Sequence, residues 1–252
     1  MSYCFFHRPI LAALILWGAL IGPLCPTVHA QDSQTLKNVQ VFPKDITRPE
    51  LIDRMRHFSF ALDVRCQYCH IGGDGVSFEG VVFESDDDPD KVKARFMIRM
   101  TENLNRQVLP LIPQRDEPPM EITCKTCHRG QSKPILLTQA MQRTLDTEGG
   151  EAAVNLYREL REKSALIGSF DFREWEINTL GERLEKEGKT KDAIMIYELN
   201  RGFYPESISI VLALGRLYEA DENTPSAIRM YERALELSPD NTRARERLEV
   251  LK

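Results

Sequence analysis

The sequence predicts a mainly α-helical chain in two parts: helix–loop–C-x-x-C-H units in front and a helical repeat array behind. Three observations predict it. Two stretches, 47–64 and 88–109, carry apolar residues at helical spacing. Each leads toward a cysteine pair with a histidine directly behind it, "CQYCH" at 66–70 and "CKTCH" at 124–128. From Leu180 onward the chain echoes itself at a fixed interval of about 34 residues. With 252 residues and 42% hydrophobic content, the chain can bury a core.

The first thirty residues stand apart from that core. Arg8 is their only Lys, Arg, Asp or Glu, Ile10–Ile21 is an apolar run broken at Pro23, and Val28-His29-Ala30 offers small side chains where a signal peptidase cuts. The pattern predicts a secretory signal over 1–30, followed by a linker over 31–46. The run is short for a membrane span. An uncleaved anchor is the alternative; lipidation at Cys25 fits poorly behind Gly22-Pro23-Leu24. The expected compartment is periplasmic or otherwise exported, with membrane association possible. A formal charge of −5, one unit more acidic once Arg8 is removed, argues against nucleic acid as a partner.

Cysteine usage is the sharpest feature. Cys4 and Cys25 leave with the signal, so the mature chain keeps Cys66, Cys69, Cys124 and Cys127. Its histidines are His57, His70 and His128, two of them directly behind a C-x-x-C. C-x-x-C-H is the attachment signature of c-type haem. Each thiol adds across one vinyl group, and the adjacent imidazole binds the iron. Two motifs predict two c-type haems, with His70 and His128 as axial ligands. A zinc site would have to join pairs 58 residues apart and leaves the histidine placement unexplained. Disulfides are the ordinary fate of exported cysteines, and a redox C-x-x-C calls for a strand–helix setting absent here.

The flanking stretches read as helices. Thr47 caps the first, Glu50 closes a capping box and Pro49 suits the first turn. Leu51, Met55, Phe58 and Leu62 share a face that needs a large apolar partner. Asp88 caps the second and Pro89 opens it; Val92, Phe96, Met100, Leu104 and Val108 form its stripe, with Met97 alongside. The acidic run "ESDDDPDK" at 84–91 reads as capping and solvation of that helix, with a docking patch for a basic partner as the alternative.

Three segments, "FSFALDVRCQYCH", "KARFMIRMTENLN" and "ITCKTCHRGQSKP", resemble the C-terminal two-haem half of the cytochrome c subunit of photosynthetic reaction centres. The resemblance spans about Thr47 to Pro134 and places a dihaem cytochrome c domain at 47–137. It implies that a Met on the helix before a motif binds iron opposite the histidine. Met55, eleven residues before Cys66, stands at that position. The full subunit carries four haems and often a lipid anchor, whereas this chain has two motifs. The shorter dihaem relatives of non-photosynthetic bacteria resemble it more closely. The resemblance thus implies an electron carrier rather than photosynthesis.

For the second haem, Met100 on the apolar stripe is the expected sixth ligand. Met97 and His57 are alternatives, and Met120 is loop-borne. His57 lies about 200° around the helix from Met55, so it cannot serve the same haem from the same face. The resemblance implies two histidines on the last haem, the distant one from a part this chain lacks. Ligand choice matters: a fully ligated haem passes electrons, while an open sixth position permits small-ligand chemistry.

Behind this domain, Gly181 and Gly215, Ala193 and Ala227, Tyr197 and Tyr231, and Pro205 and Pro239 pair at the period of tetratricopeptide repeats. "EAAVNLYREL" at 151–160 reads as a degenerate helix before them, and "TRARERLEVLK" as a charged closing helix. The array is expected over 138–252, as a scaffold for a protein or peptide. The expected function is an exported dihaem cytochrome c that passes electrons between redox partner proteins, with a membrane electron-transfer complex as one possible setting. The alternatives are a dihaem peroxidase-like enzyme with one open site, and an assembly protein in which haems staple a small core.

Overall fold

The computed structural model describes residues 36–114 and 117–252, and at 164–167 the backbone alone. The expected signal segment and the linker as far as residue 35 lie outside the described residues. The chain from Lys37 to Lys252 forms one unit.

Helix α1 (Arg48–Leu62) starts where the sequence places it. The Thr47 hydroxyl accepts from the Glu50 N–H, and the Glu50 carboxylate accepts from the Thr47 N–H at 2.8 Å. It stops at Asp63, held in the left-handed region at φ 53°, and the Val64 N–H closes back on the Ser59 carbonyl at 3.1 Å. That turn feeds the first motif directly. A short hairpin comes next, β1 (Ile71–Gly72) against β2 (Val81–Val82), with Ile71 opposite Val82. Gly72 sits at φ 82°, and a Cβ there would lie 2.3 Å from the Gly80 carbonyl oxygen, so no other residue fits this reversal.

Helix α2 (Pro89–Asn103) is capped by Asp88, whose carboxylate accepts from the Asp90 N–H at 2.8 Å. The sequence predicts one α-helical stripe through Val108. Instead the α-helix gives way to a π-helical turn, Leu104–Val108, closed by the Leu109 N–H on the Leu104 carbonyl. The wider turn ends the 3.6-residue register, so Leu104 and Val108 leave the line set by Val92, Phe96 and Met100. A tight turn, Leu109–Leu111, then leads toward helix α3 (Cys124–His128), the second motif.

The rest is paired helices: α4 (Leu137–Glu148) with α5 (Gly150–Ile167), α6 (Glu174–Lys186) with α7 (Thr190–Phe203), and α8 (Ile208–Ala220) with α9 (Thr224–Leu237). Helix α10 (Thr242–Leu251) closes the array against α9. The sequence predicts a single degenerate helix at 151–160; the structure has a full pair there, with Leu137, Met141 and Leu145 of α4 buried in the shared core. Gly181 faces the Tyr197 ring and Gly215 the Tyr231 ring so closely that a Cβ would sit 2.6 and 2.7 Å from ring carbons. The absent side chain lets each helix pair close on a tyrosine.

The core is lopsided. Among the described residues, only Ala61 and Leu109 of the buried apolar set precede Leu137. The two core clusters run from Leu137 to Leu217 and from Val211 to Leu248. The front half folds on helix caps, turns and polar clasps, and keeps large apolar side chains at its surface.

Candidate functional site

Each motif is a single helical turn. In the first, Cys66–Tyr68 forms a tight 3-10 turn, and the Cys69 and His70 N–H groups both donate to the Cys66 carbonyl at 3.2 and 3.0 Å. In the second, α3 is one α-turn, opened by a Thr123 N–H bond to the Thr126 hydroxyl at 3.0 Å. In the first motif, a 3-10 turn, Cys66 and Cys69 share a side, with His70 next in the chain. In the second, an α-turn, Cys124, Cys127 and His128 share a side. All four thiols are free. Burial, then Asp88 and Asp90, push the Cys69 thiol up to about 11, and burial also raises Cys124. Neither is the low-pKa thiolate that a redox C-x-x-C needs. Among the described residues, no group of three or more His, Cys, Asp and Glu side chains is placed to hold a metal ion.

The imidazoles differ in support. His128 Nδ1 lies 2.8 Å from the Gln131 carbonyl. A carbonyl only accepts, so Nδ1 carries the proton and Nε2 keeps its lone pair outward, the tautomer an iron ligand requires. His70 Nδ1 is buried and has no partner in hydrogen-bond geometry. Burial first, and Lys91 second, hold this imidazole below its ordinary pKa, while the nearby Phe83 carbonyl pulls the other way. The Phe83 ring packs edge-on against His70, centroids 5.1 Å apart. The β1–β2 hairpin places Phe83 there.

Helix α2 turns a charged side inward. Lys91 and Arg95 are both nearly buried. Lys91 donates to the Phe83 carbonyl at 2.7 Å and pairs with Asp86 at 3.1 Å; Arg95 pairs with Asp86 at 2.8 Å and donates to the Asn38 carbonyl. Part of the acidic run is thus an internal clasp, and Asp88 is the helix cap. The apolar stripe faces out instead, with Val92 50%, Phe96 68% and Met100 38% exposed. Met97 is half-buried. Met55 lies half-buried on α1 beside Leu51, Phe58 and Leu62, and Phe42 stacks on Phe58 with centroids 6.3 Å apart. His57 is exposed, its Nδ1 2.8 Å from the Asp53 carbonyl.

Three supporting contacts escape sequence reasoning. The Asn105 side chain bonds both backbone groups of Ile122, at 2.7 and 2.8 Å, just ahead of Cys124. The Gly130 N–H, behind His128, donates to the Ala61 carbonyl of α1 at 2.8 Å, so α1 packs on the second motif although it precedes the first. The Gln131 side chain donates to the Ser169 carbonyl at 2.9 Å. No side-chain pattern in the sequence marks any of the three.

These surroundings fit a porphyrin. Phe60, Val92 and Phe96 of α1 and α2 lie open at the surface, and covering one such side chain gains about 2 kcal/mol. A large apolar disc tethered at the cysteines supplies that cover. Cysteine pairs, a histidine directly behind each and uncovered apolar helix faces together define a c-type cytochrome domain, here joined to a helical repeat array. The family model of the photosynthetic reaction centre cytochrome C subunit matches residues 26–167, and a tetratricopeptide repeat model matches 208–249. The first match covers more than half of the chain, which therefore belongs to the photosynthetic reaction centre cytochrome C subunit family. Membership implies c-type haem and electron transfer, and the repeat implies contact with another protein. A search of curated proteins found no match.

Proposed function

We propose that the chain is an exported dihaem c-type cytochrome that passes electrons between redox partner proteins, while its repeat array docks one of them. The reading rests above all on the paired C-x-x-C-H turns, each placing its two cysteines on one side with a histidine directly behind, in a front half whose apolar helix faces stay exposed. Cys66 and Cys69 hold one haem and Cys124 and Cys127 the other. His70 and His128 would bind the irons, joined by Met55 at the first haem and Met100 at the second, with Met97 or His57 as alternatives there. The haem iron, once bound, cycles between ferrous and ferric states without taking up or releasing atoms. The chain's own part is orientation and exclusion. The Gln131 carbonyl fixes the His128 tautomer, Phe83 flanks His70, and the α2 stripe keeps water from a bound ring.

The test is an optical spectrum of the mature protein from a host that matures cytochromes c: oxidised, reduced, and reduced with carbon monoxide. Two covalent haems per chain, a weak far-red methionine–iron band and no carbon monoxide shift are expected. The exposure of Met100 supports a second reading, a peroxidase-like enzyme with one open site. A carbon monoxide shift in half of the haem selects that reading. A chain with no covalent haem rules out both.

A further inference from the structure

We infer that Gln131 is a positioning residue through which the repeat array sets the redox potential of the second haem. This rests on the proposed reading of His128 as an iron ligand. Gln131 acts at two points. Its carbonyl accepts from His128 Nδ1 at 2.8 Å, and its side-chain amide donates to the Ser169 carbonyl at 2.9 Å. Ser169 lies between α5 and α6, inside the repeat half, 38 residues along the chain. One residue therefore touches the imidazole with its backbone and the array with its side chain.

Both ends of this link are held. On the motif side, Arg129 and Gly130 sit in the left-handed region at φ 49° and 79°, and the Gly130 N–H is tied to Ala61. The reversal is completed by the Gln131 N–H donating to the His128 carbonyl at 2.8 Å. On the array side, Phe170 and Phe172 flank the loop and pack on the first core cluster. The Phe172 ring meets Tyr157 edge-on at 5.5 Å, and its carbonyl accepts from Tyr204 Oη at 2.8 Å and from Arg161 at 3.3 Å. Cys127, Arg129, Gln131, Phe170 and Asp171 line one shallow cleft, so motif and loop face each other. The Ser169 carbonyl is an anchor fixed by the repeat core.

The consequence for the iron comes from the hydrogen bond. A carbonyl accepting from Nδ1–H pushes electron density onto Nε2, which favours the ferric state and lowers the potential. Without the Ser169 anchor the Gln131 carbonyl loses its fixed direction and the bond weakens. The ferric state then loses support, and the potential rises. The first haem has no such link, since His70 Nδ1 has no partner and the Phe83 carbonyl only approaches it.

The experiment uses the full-length chain with its haems attached. Potentials of both haems are measured by optical titration in the wild type, Gln131→Met, Gln131→Ala and Gln131→Asn. The exchange rate of the His128 ring N–H is followed by nitrogen-labelled NMR. Gln131→Met keeps the length without a donor and without a charge; Gln131→Asn keeps an amide donor on a shorter arm. The expected result is a raised potential for the second haem and faster ring N–H exchange in the Met and Ala variants. The first haem stays unmoved, and the Asn variant lies nearer to wild type. Two haems with unmoved potentials, or an equal shift of both, overturns the inference and leaves the proposed function standing. A wild-type chain lacking haem at Cys124 and Cys127 overturns both.

Discussion

The Asn105 side chain pairs with both the N–H and the carbonyl of Ile122, at 2.8 and 2.7 Å. A single amide thereby does what a neighbouring strand would do, and it pins the chain two residues ahead of Cys124. The π-helical turn that carries Asn105 widens the helix at this point. Replacing it by alanine leaves two partly buried backbone groups unpaired, at a cost of about 1–3 kcal/mol. The expected outcome for Asn105→Ala is roughly tenfold or faster amide exchange at Ile122, read by hydrogen-exchange mass spectrometry, with the repeat helices unchanged.

Asp86 holds two nearly buried cations, Lys91 and Arg95, and accepts from the Asn38 amide at 2.8 Å. The Arg95 bond first, then those of Lys91 and Asn38, hold its carboxyl far below the usual carboxylate range. A depressed folded pKa means the contribution is complete above the unfolded value of about 3.9 and fades as pH falls below it. Asp86→Asn removes it at neutral pH. Tryptic cleavage after Lys37 and Lys44 should then be faster than in the wild type at pH 7, and equal rates would show that the clasp does not hold this segment.

Gly181 and Gly215 each lie under a tyrosine ring that a Cβ would meet at 2.6 and 2.7 Å. Neither Tyr197 nor Tyr231 has room to retreat, since they are 3% and 0% exposed. Gly181→Ala and Gly215→Ala should each destabilise the array by about 1–3 kcal/mol through overpacking, despite alanine's better helix propensity. Urea unfolding followed by helical circular dichroism measures it.

Burial, with Glu182 and Glu185 nearby, pushes the Tyr197 hydroxyl up to about 12, and burial with Glu198 does the same for Tyr218. Both groups fold neutral. Their contribution is full below the unfolded value of about 10 and is lost as pH rises toward 12. Helicity should therefore fall over that window. Tyr197→Phe keeps the ring and removes the ionisation, so its alkaline loss should be shallower.

How far the sequence reached varies with the distance over which each signal acts. Thr47, Glu50 and Asp88 act within one helical turn, and their caps form as the residues predict. The stripe beyond Met100 shows the limit. Apolar spacing alone extends it to Val108, whereas Asn105 engages Ile122 and the helix widens to a π turn. Periodicity also could not show that α2 would turn Lys91 and Arg95 inward, because their partners Asp86 and Asn38 lie outside the helix.

The sequence by itself determined the two C-x-x-C-H turns, the helices that precede them, and the repeat array with its glycine–tyrosine contacts. Each is specified by residues a few positions apart, or by a period that copies one solution along the chain. Only the tertiary structure decided that α1 packs on the second motif rather than lying solely beside the first. It also decided that Asn105 braces Cys124 from 17 residues before Ile122, and that Gln131 reaches Ser169 across 38. Backbone carbonyls supply the acceptor in the α1 contact and in both of these links. Every residue offers one, so no side-chain pattern marks which of them a distant donor will find.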